Sequence, residues 1–82
     1  MPHYVYIIKS SKDNRYYIGE TADVAKRLEY HNAGLQRSTR NRIPFTLVYV
    51  EELEDRKAAL KREKQIKSYK GGIAFMKLIN SP

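Results

Sequence analysis

The sequence predicts an α/β (α+β) fold: a small three-stranded, mostly antiparallel sheet flanked by helices. Three observations predict it. Two stretches rich in aromatic and β-branched residues, Tyr4-Val5-Tyr6-Ile7-Ile8 and Tyr16-Tyr17-Ile18-Gly19, flank the turn-forming run Lys9 to Arg15, which is a hairpin signal. A third such stretch, Phe45-Thr46-Leu47-Val48-Tyr49-Val50, stands alone later in the chain. Before and after it lie segments with the apolar spacing of helices.

The two hairpin strands alternate poorly between apolar and polar residues, as strands buried on both faces do. They hold four of the seven tyrosines. A helix is expected from about 22 to 32, with Thr21 as its N-cap, Asp23 in its first turn and Gly34 as its stop. Val24, Leu28 and His31 mark its inward stripe at i, i+4 and i+7, and Arg27 lies four before His31 along one edge of it. Leu35 to Pro44 has no period and reads as a loop carrying Arg37, Arg40 and Arg42. A second helix is expected from about 55 to 68, with acids leading and bases trailing, as the helix dipole favours. Its apolar sector is Ala59, Leu60, Ile66 and Tyr69, and Glu63 is the one acid within it. Gly71-Gly72 interrupts the pattern, Ile73 to Ile79 reads as a short last helix, and Asn80-Ser81-Pro82 closes the chain. No internal repeat, low-complexity tract or linker breaks the sequence.

Eighty-two residues make one small domain, 1–82, with no room for a second core. The absence of cysteine excludes a disulfide framework and fits a reducing compartment. The N-terminus lacks the charged and apolar regions of a signal peptide, and the longest apolar run is far short of a membrane span. These readings point to a soluble cytoplasmic protein with no membrane partner. A net charge of +7 and a pI near 9.8 make a polyanion the expected partner, nucleic acid first.

The ordered pieces resemble a known family. Tyr4-Val5-Tyr6, then Tyr17-Ile18-Gly19, then a helix with Arg27 and His31, then a helix with Glu63, is similar to the GIY-YIG nuclease domain, and in particular to its small single-domain branch. The blocks Tyr-Tyr-Ile-Gly, Lys-Arg-Leu, His-Asn-x-Gly, Pro-x-x-Leu-Val-Tyr and Glu-Lys-x-Ile-Lys all occur in order, so the resemblance spans nearly the whole chain. Two departures stand out. Tyr4 occupies the position of the family's first glycine, and relatives continue with a short Asn-Pro segment where this chain has Asn80-Ser81-Pro82.

The resemblance implies hydrolysis of a phosphodiester with one divalent metal, Mg²⁺ or Mn²⁺, on DNA ahead of RNA, with a protein partner as one source of specificity. It implies Tyr6, Tyr17, Arg27, His31 and Glu63 as catalytic residues, Glu63 as the metal ligand and Gly19 as the motif glycine. The residue types suit that chemistry. A carboxylate with several waters and a substrate phosphate is a common Mg²⁺ site. A guanidinium forks onto phosphate. A phenol, with an ordinary pKa near ~10, activates water once a neighbouring cation favours its ionised form. The reading assigns that activation to Tyr6 and the positioning of water to Tyr17, with exchange of the two roles left open. His31 shares or relays the proton. Arg37, Arg40, Arg42 and Lys67 are expected on the phosphate backbone.

Taken singly, each residue has a plainer reading. Tyr6 and Tyr17 can fill a core, Arg27 can be a surface cation, His31 a satisfied core histidine, and Glu63 the partner of Lys67 at i+4. One active site accounts for all five at once. The competing functions are a non-catalytic nucleic-acid-binding module on the same scaffold and a structural or protein-interaction domain whose charge serves solubility.

Overall fold

The computed structural model describes residues 1–80; Ser81 and Pro82, read above as closing the chain, lie outside the described residues. The elements run β1 (His3–Ser10), β2 (Tyr16–Thr21), α1 (Val24–Asn32), β3 (Phe45–Leu53), α2 (Arg56–Lys67) and α3 (Ile73–Ile79). The sheet has the order β2-β1-β3, and both pairings are antiparallel. The expected fold class is therefore the observed one.

Central β1 explains why its sequence does not alternate. Val5 and Ile7 are fully buried against Ala59, Ile66 and Phe75 of α2 and α3, while Tyr6 and Ile8 are buried on the other face with Phe45, under Val24 and Leu28 of α1. Both faces are covered, so consecutive residues are all apolar or aromatic. The pairing of β1 with β3 shifts register between Ile7 and Ile8, which face Tyr49 and Leu47 respectively and leave Val48 as the extra residue of a bulge.

Helix α1 starts later than the sequence suggested, whereas α3 spans the expected residues. Asp23, not Thr21, caps α1: its carboxylate accepts from the Lys26 N–H at 3.1 Å. Thr21 is buried and closes the turn before the cap, accepting from the Asp23 N–H at 3.1 Å. Gly34 follows the helix end at φ +77°, a left-handed conformation that suits glycine. Asp55 caps α2 through the Ala58 N–H at 2.8 Å. The apolar stripe of α2 is narrower than expected. Ala59 and Ile66 are fully buried, but Leu60, one position round the helix, is 44% exposed.

Leu35 to Pro44 is not a loose loop. It contains a 3-10 turn at Arg40–Arg42, and polar bonds anchor it at both ends. The Asn32 amide donates to the Phe45 carbonyl at 3.1 Å and accepts from the Phe45 N–H at 2.7 Å. The buried Ser10 hydroxyl donates to the Arg42 carbonyl at 2.5 Å.

Within the hairpin, Tyr6 sits directly opposite Gly19. The phenol lies across the glycine so closely that a Cβ at position 19 would meet Tyr6 Oη at 2.5 Å and Cζ at 2.6 Å. Glycine is required here for space. Gly19→Ala is expected to lower stability by about 1–3 kcal/mol through overpacking, measured by urea denaturation. In a Tyr6→Leu background the same substitution is expected to cost clearly less. An equal cost in both backgrounds would remove the steric explanation.

Candidate active site

The site is built on the α1 face of the hairpin. β1 supplies Tyr6, β2 supplies Tyr17 and Gly19, and α1 supplies Arg27 and His31. Because β2 is an edge strand and position 19 has no side chain, the Tyr6 phenol reaches over β2 to the margin of the sheet. Its Oη lies 2.9 Å from His31 Nε2 in a buried hydrogen bond. The Tyr17 ring packs 4.9 Å from the His31 ring and 6.3 Å from the Tyr6 ring, centroid to centroid. His31 is fully buried, and its other ring nitrogen, Nδ1, is 2.9 Å from Thr39 Oγ1. No buried side-chain nitrogen or oxygen among the described residues lacks a partner.

Charge from both sides of the sheet bears on this cluster. Burial pushes the Tyr6 phenol well above the ordinary tyrosine value, and the Tyr17 phenol adds to the rise. Arg27 opposes it, while Glu63 and Glu20 reinforce it. The expected phenolate favoured by Arg27 is therefore not the resting form. The guanidinium acts in the expected direction but is outweighed by desolvation, so Tyr6 rests as a neutral phenol. Burial first, and the Arg27 charge second, push His31 below its ordinary value, which keeps the imidazole neutral at pH 7.

Arg27 is half-buried, with its guanidinium 5.1 Å from the centre of the Tyr30 ring. It lines a cleft of about 660 Å³ together with His3, Glu20, Lys26, Tyr30 and Arg56. Of the five predicted catalytic residues only Arg27 lines that cleft, so the cleft lies beside the Tyr6–His31 pair and not over it. His3 Nε2 pairs with Glu20, and Arg56 stands 3.8 Å from the same carboxylate. Glu20, His3 and Thr39 were not singled out from sequence. Glu20 directly follows the motif glycine, which is a usable signal. Thr39 sits in a stretch with no period and offers none.

Glu63 projects from α2 between the buried Ala59 and Ile66, and its side chain is 17% exposed. It accepts from Lys67 Nζ at 2.5 Å, so the plain i+4 pair is present too. Among the described residues no group of three or more His, Asp or Glu is placed to share a metal. A lone, partly shielded carboxylate still fits a hard cation that keeps most of its waters and shares a substrate phosphate.

The basic residues divide. Arg37 and Arg40 are exposed. Arg42 is not free for phosphate as expected. Its Nε donates to Asp13 Oδ2 at 3.0 Å, and its guanidinium lies 5.6 Å from the centre of the Phe45 ring, so it ties the hairpin turn to the start of β3. Lys67 is 54% exposed, but its ammonium is held by Glu63.

The family model described as the GIY-YIG catalytic domain matches residues 2–73. A UPF0213 protein of Haloquadratum walsbyi is 50% identical over 68 residues, which is 82% of this chain and 75% of that protein. A UPF0213 protein of Staphylococcus haemolyticus is 44% identical over 68 residues, 82% of each chain. The solution NMR structure of the UPF0213 protein BH0048 from Bacillus halodurans is 32% identical, with a TM-score of 0.50 over 99% of this chain and 98% of that one. A chain that sets its tyrosines, arginine and histidine around one glycine, and that these proteins match along most of its length, belongs to the GIY-YIG catalytic-domain family.

Proposed function

We propose that the chain, acting as one domain over residues 1–82, is a metal-dependent endonuclease that hydrolyses DNA phosphodiester bonds. Structured or single-stranded DNA formed in repair or recombination is the substrate class we favour. The buried Tyr6–His31 hydrogen bond carries the reading. It places a phenol at the sheet margin, backed by a neutral imidazole, where the charges of Arg27 and Glu63 both bear on it. A core tyrosine with a merely satisfied histidine has no need of either charge.

In this mechanism Arg27 binds the phosphoryl oxygens and stabilises the charge that develops on them. Tyr6 accepts a hydrogen bond from the attacking water, Tyr17 orients that water, and His31 takes up the displaced proton. Glu63 would hold the metal, with Lys67 released from the carboxylate to the substrate backbone. Mg²⁺ or Mn²⁺, when bound, would supply positive charge against the negative charge of the reacting phosphate. Arg37 and Arg40 add sequence-independent phosphate contacts. The lack of cysteine and the basic surface support a cytoplasmic setting. No helix among the described residues is long and apolar enough to cross a membrane. Specificity is assigned to a protein partner.

One observation favours a second reading. Glu63 already has a cationic partner in Lys67, and a carboxylate so neutralised needs no metal. On that basis the alternative is a nucleic-acid-binding module without catalysis.

Three outcomes decide between them. In a screen of duplex, flap, junction and single-stranded DNA, and of RNA, the parent is expected to cut only with Mg²⁺ or Mn²⁺, and Glu63→Ala to cut nothing while its circular dichroism is unchanged. Arg27→Ala is expected to lower kcat by about 10²–10³-fold with little change in affinity. Binding without cleavage in the parent would establish the module. The slope of log K against log salt is expected to fall by about 1 each for Arg37→Ala and Arg40→Ala, whereas Arg42→Ala lowers stability and leaves the slope unchanged. A neutral His31 is the proton acceptor, and its folded pKa lies below the ordinary value of about 6.5. The acid limb of kcat/KM from His31, which reports the free enzyme, is therefore expected below that pH, with full activity retained above it. An acid limb above pH 6.5 would remove His31 from the role.

A further inference from the structure

Three polar contacts run in series through the buried side of the site. Tyr6 Oη lies 2.9 Å from His31 Nε2, His31 Nδ1 lies 2.9 Å from Thr39 Oγ1, and Thr39 Oγ1 lies 3.5 Å from the Gln36 carbonyl oxygen. His31 and Thr39 are fully buried and Tyr6 is nearly so. With both His31 nitrogens and the Thr39 hydroxyl shut away from bulk water, the inner contacts keep whatever direction the chain of donors imposes.

Both ends favour one direction. Tyr6 Oη is nearly buried and has His31 Nε2 as its one hydrogen-bond partner among the described residues, so its proton goes to that nitrogen. At the far end the Gln36 carbonyl accepts from the backbone N–H groups of Thr39 and Arg40, and the Thr39 hydroxyl adds a long third contact to it as donor. A hydroxyl has one proton, so Thr39 Oγ1 then meets His31 as an acceptor. His31 must present Nδ1–H to it. A neutral imidazole with its proton on Nδ1 has a bare Nε2, which accepts from the Tyr6 O–H. The opposite direction would set Thr39 lone pairs against the Gln36 carbonyl and waste that contact.

We propose that Thr39 is a positioning residue that fixes the His31 tautomer, and through it the hydrogen-bonding direction of the Tyr6 phenol. The inference rests on the nuclease reading above for its catalytic consequence, but not for the tautomer itself. With its proton committed to His31, the Tyr6 oxygen offers a lone pair to the attacking water. As that water adds to phosphorus, its proton passes to the Tyr6 oxygen, and the Tyr6 proton passes to His31 Nε2. The phosphorus–oxygen bond to the leaving group breaks, the leaving oxygen takes a proton from solvent, and the imidazolium later returns its proton to solvent. Tyr6 begins and ends as a neutral phenol. With the other tautomer, Nε2–H would donate to Tyr6, and the phenol would point its own proton at the water, where it cannot act as a base.

The ring nitrogens of His31 can be read directly in ¹⁵N-labelled protein by long-range ¹H–¹⁵N correlation, without substrate or metal. The parent is expected to show Nδ1–H and a bare Nε2. Thr39→Val, which keeps the shape and removes the hydroxyl, is expected to move the proton to Nε2 and to lower kcat by about 10–100-fold with KM unchanged. Thr39→Ser is expected to retain both the tautomer and the rate. Nε2–H in the parent, or Nδ1–H persisting in Thr39→Val, would overturn the proposal. So would a loss of the tautomer in Thr39→Ser equal to that in Thr39→Val. A parent that cuts no substrate would overturn the nuclease reading alone, and the ring spectra would still decide the tautomer.

Discussion

The structure depends on one buried polar contact, the bond between Tyr6 and His31. A phenol and an imidazole removed from water each need a partner, and an unmade bond here leaves two groups unsatisfied, at a cost of about 1–3 kcal/mol apiece. The pair therefore constrains everything that touches it. β1 must present Tyr6 to the α1 face, α1 must place His31 in its last turn, and β2 must carry glycine where the ring crosses. Thr39 must then close the far side of the imidazole, which holds the segment between α1 and β3 against the core. Asn32, next in the chain, performs a parallel task for the backbone of Phe45. Adjacent residues of one helical turn thus secure the Tyr6 phenol and the entry to the third strand.

Much of this was legible in the sequence because it depends on local pattern. The unalternating run of β1 announced a strand covered on both faces, and the inward stripe of α1 ended on His31, where the structure places it. Other features depend on partners far away in the chain. Thr21 and Asp23 are both good caps, and only the path of the turn decides that Asp23 takes the helix. Leu60 looked apolar and inward, but α2 meets the sheet along a narrow strip through Ala59 and Ile66. Arg42 resembled its loop neighbours until the fold set Asp13 beside it. Thr39 had no pattern at all, since its meaning comes entirely from the imidazole it faces.

The electrostatics of the site favour neutrality at rest. Burial keeps both the phenol and the imidazole uncharged, and Lys67 covers the Glu63 carboxylate. A basic domain of net charge +7 thus holds its central machinery in a neutral state, with Arg27 as the cation beside it. On the proposed nuclease reading, a DNA phosphate accompanied by Mg²⁺ or Mn²⁺ would bring to the site the charge that its resting state lacks.

The bulge at Val48 has an evolutionary consequence. Upstream of it, Phe45 and Leu47 share the face of α1; downstream, Tyr49 faces α2, and Glu51 pairs with Arg62 of that helix at 3.1 Å. Because Ile7 already pairs with Tyr49 and Ile8 with Leu47, deleting the Val48 codon would close the bulge and leave Tyr49 and Glu51 on the face of α2, where an ordinary strand would have its distal half turned over. Loss of a residue at this one position should therefore be tolerated among relatives more readily than elsewhere in the sheet.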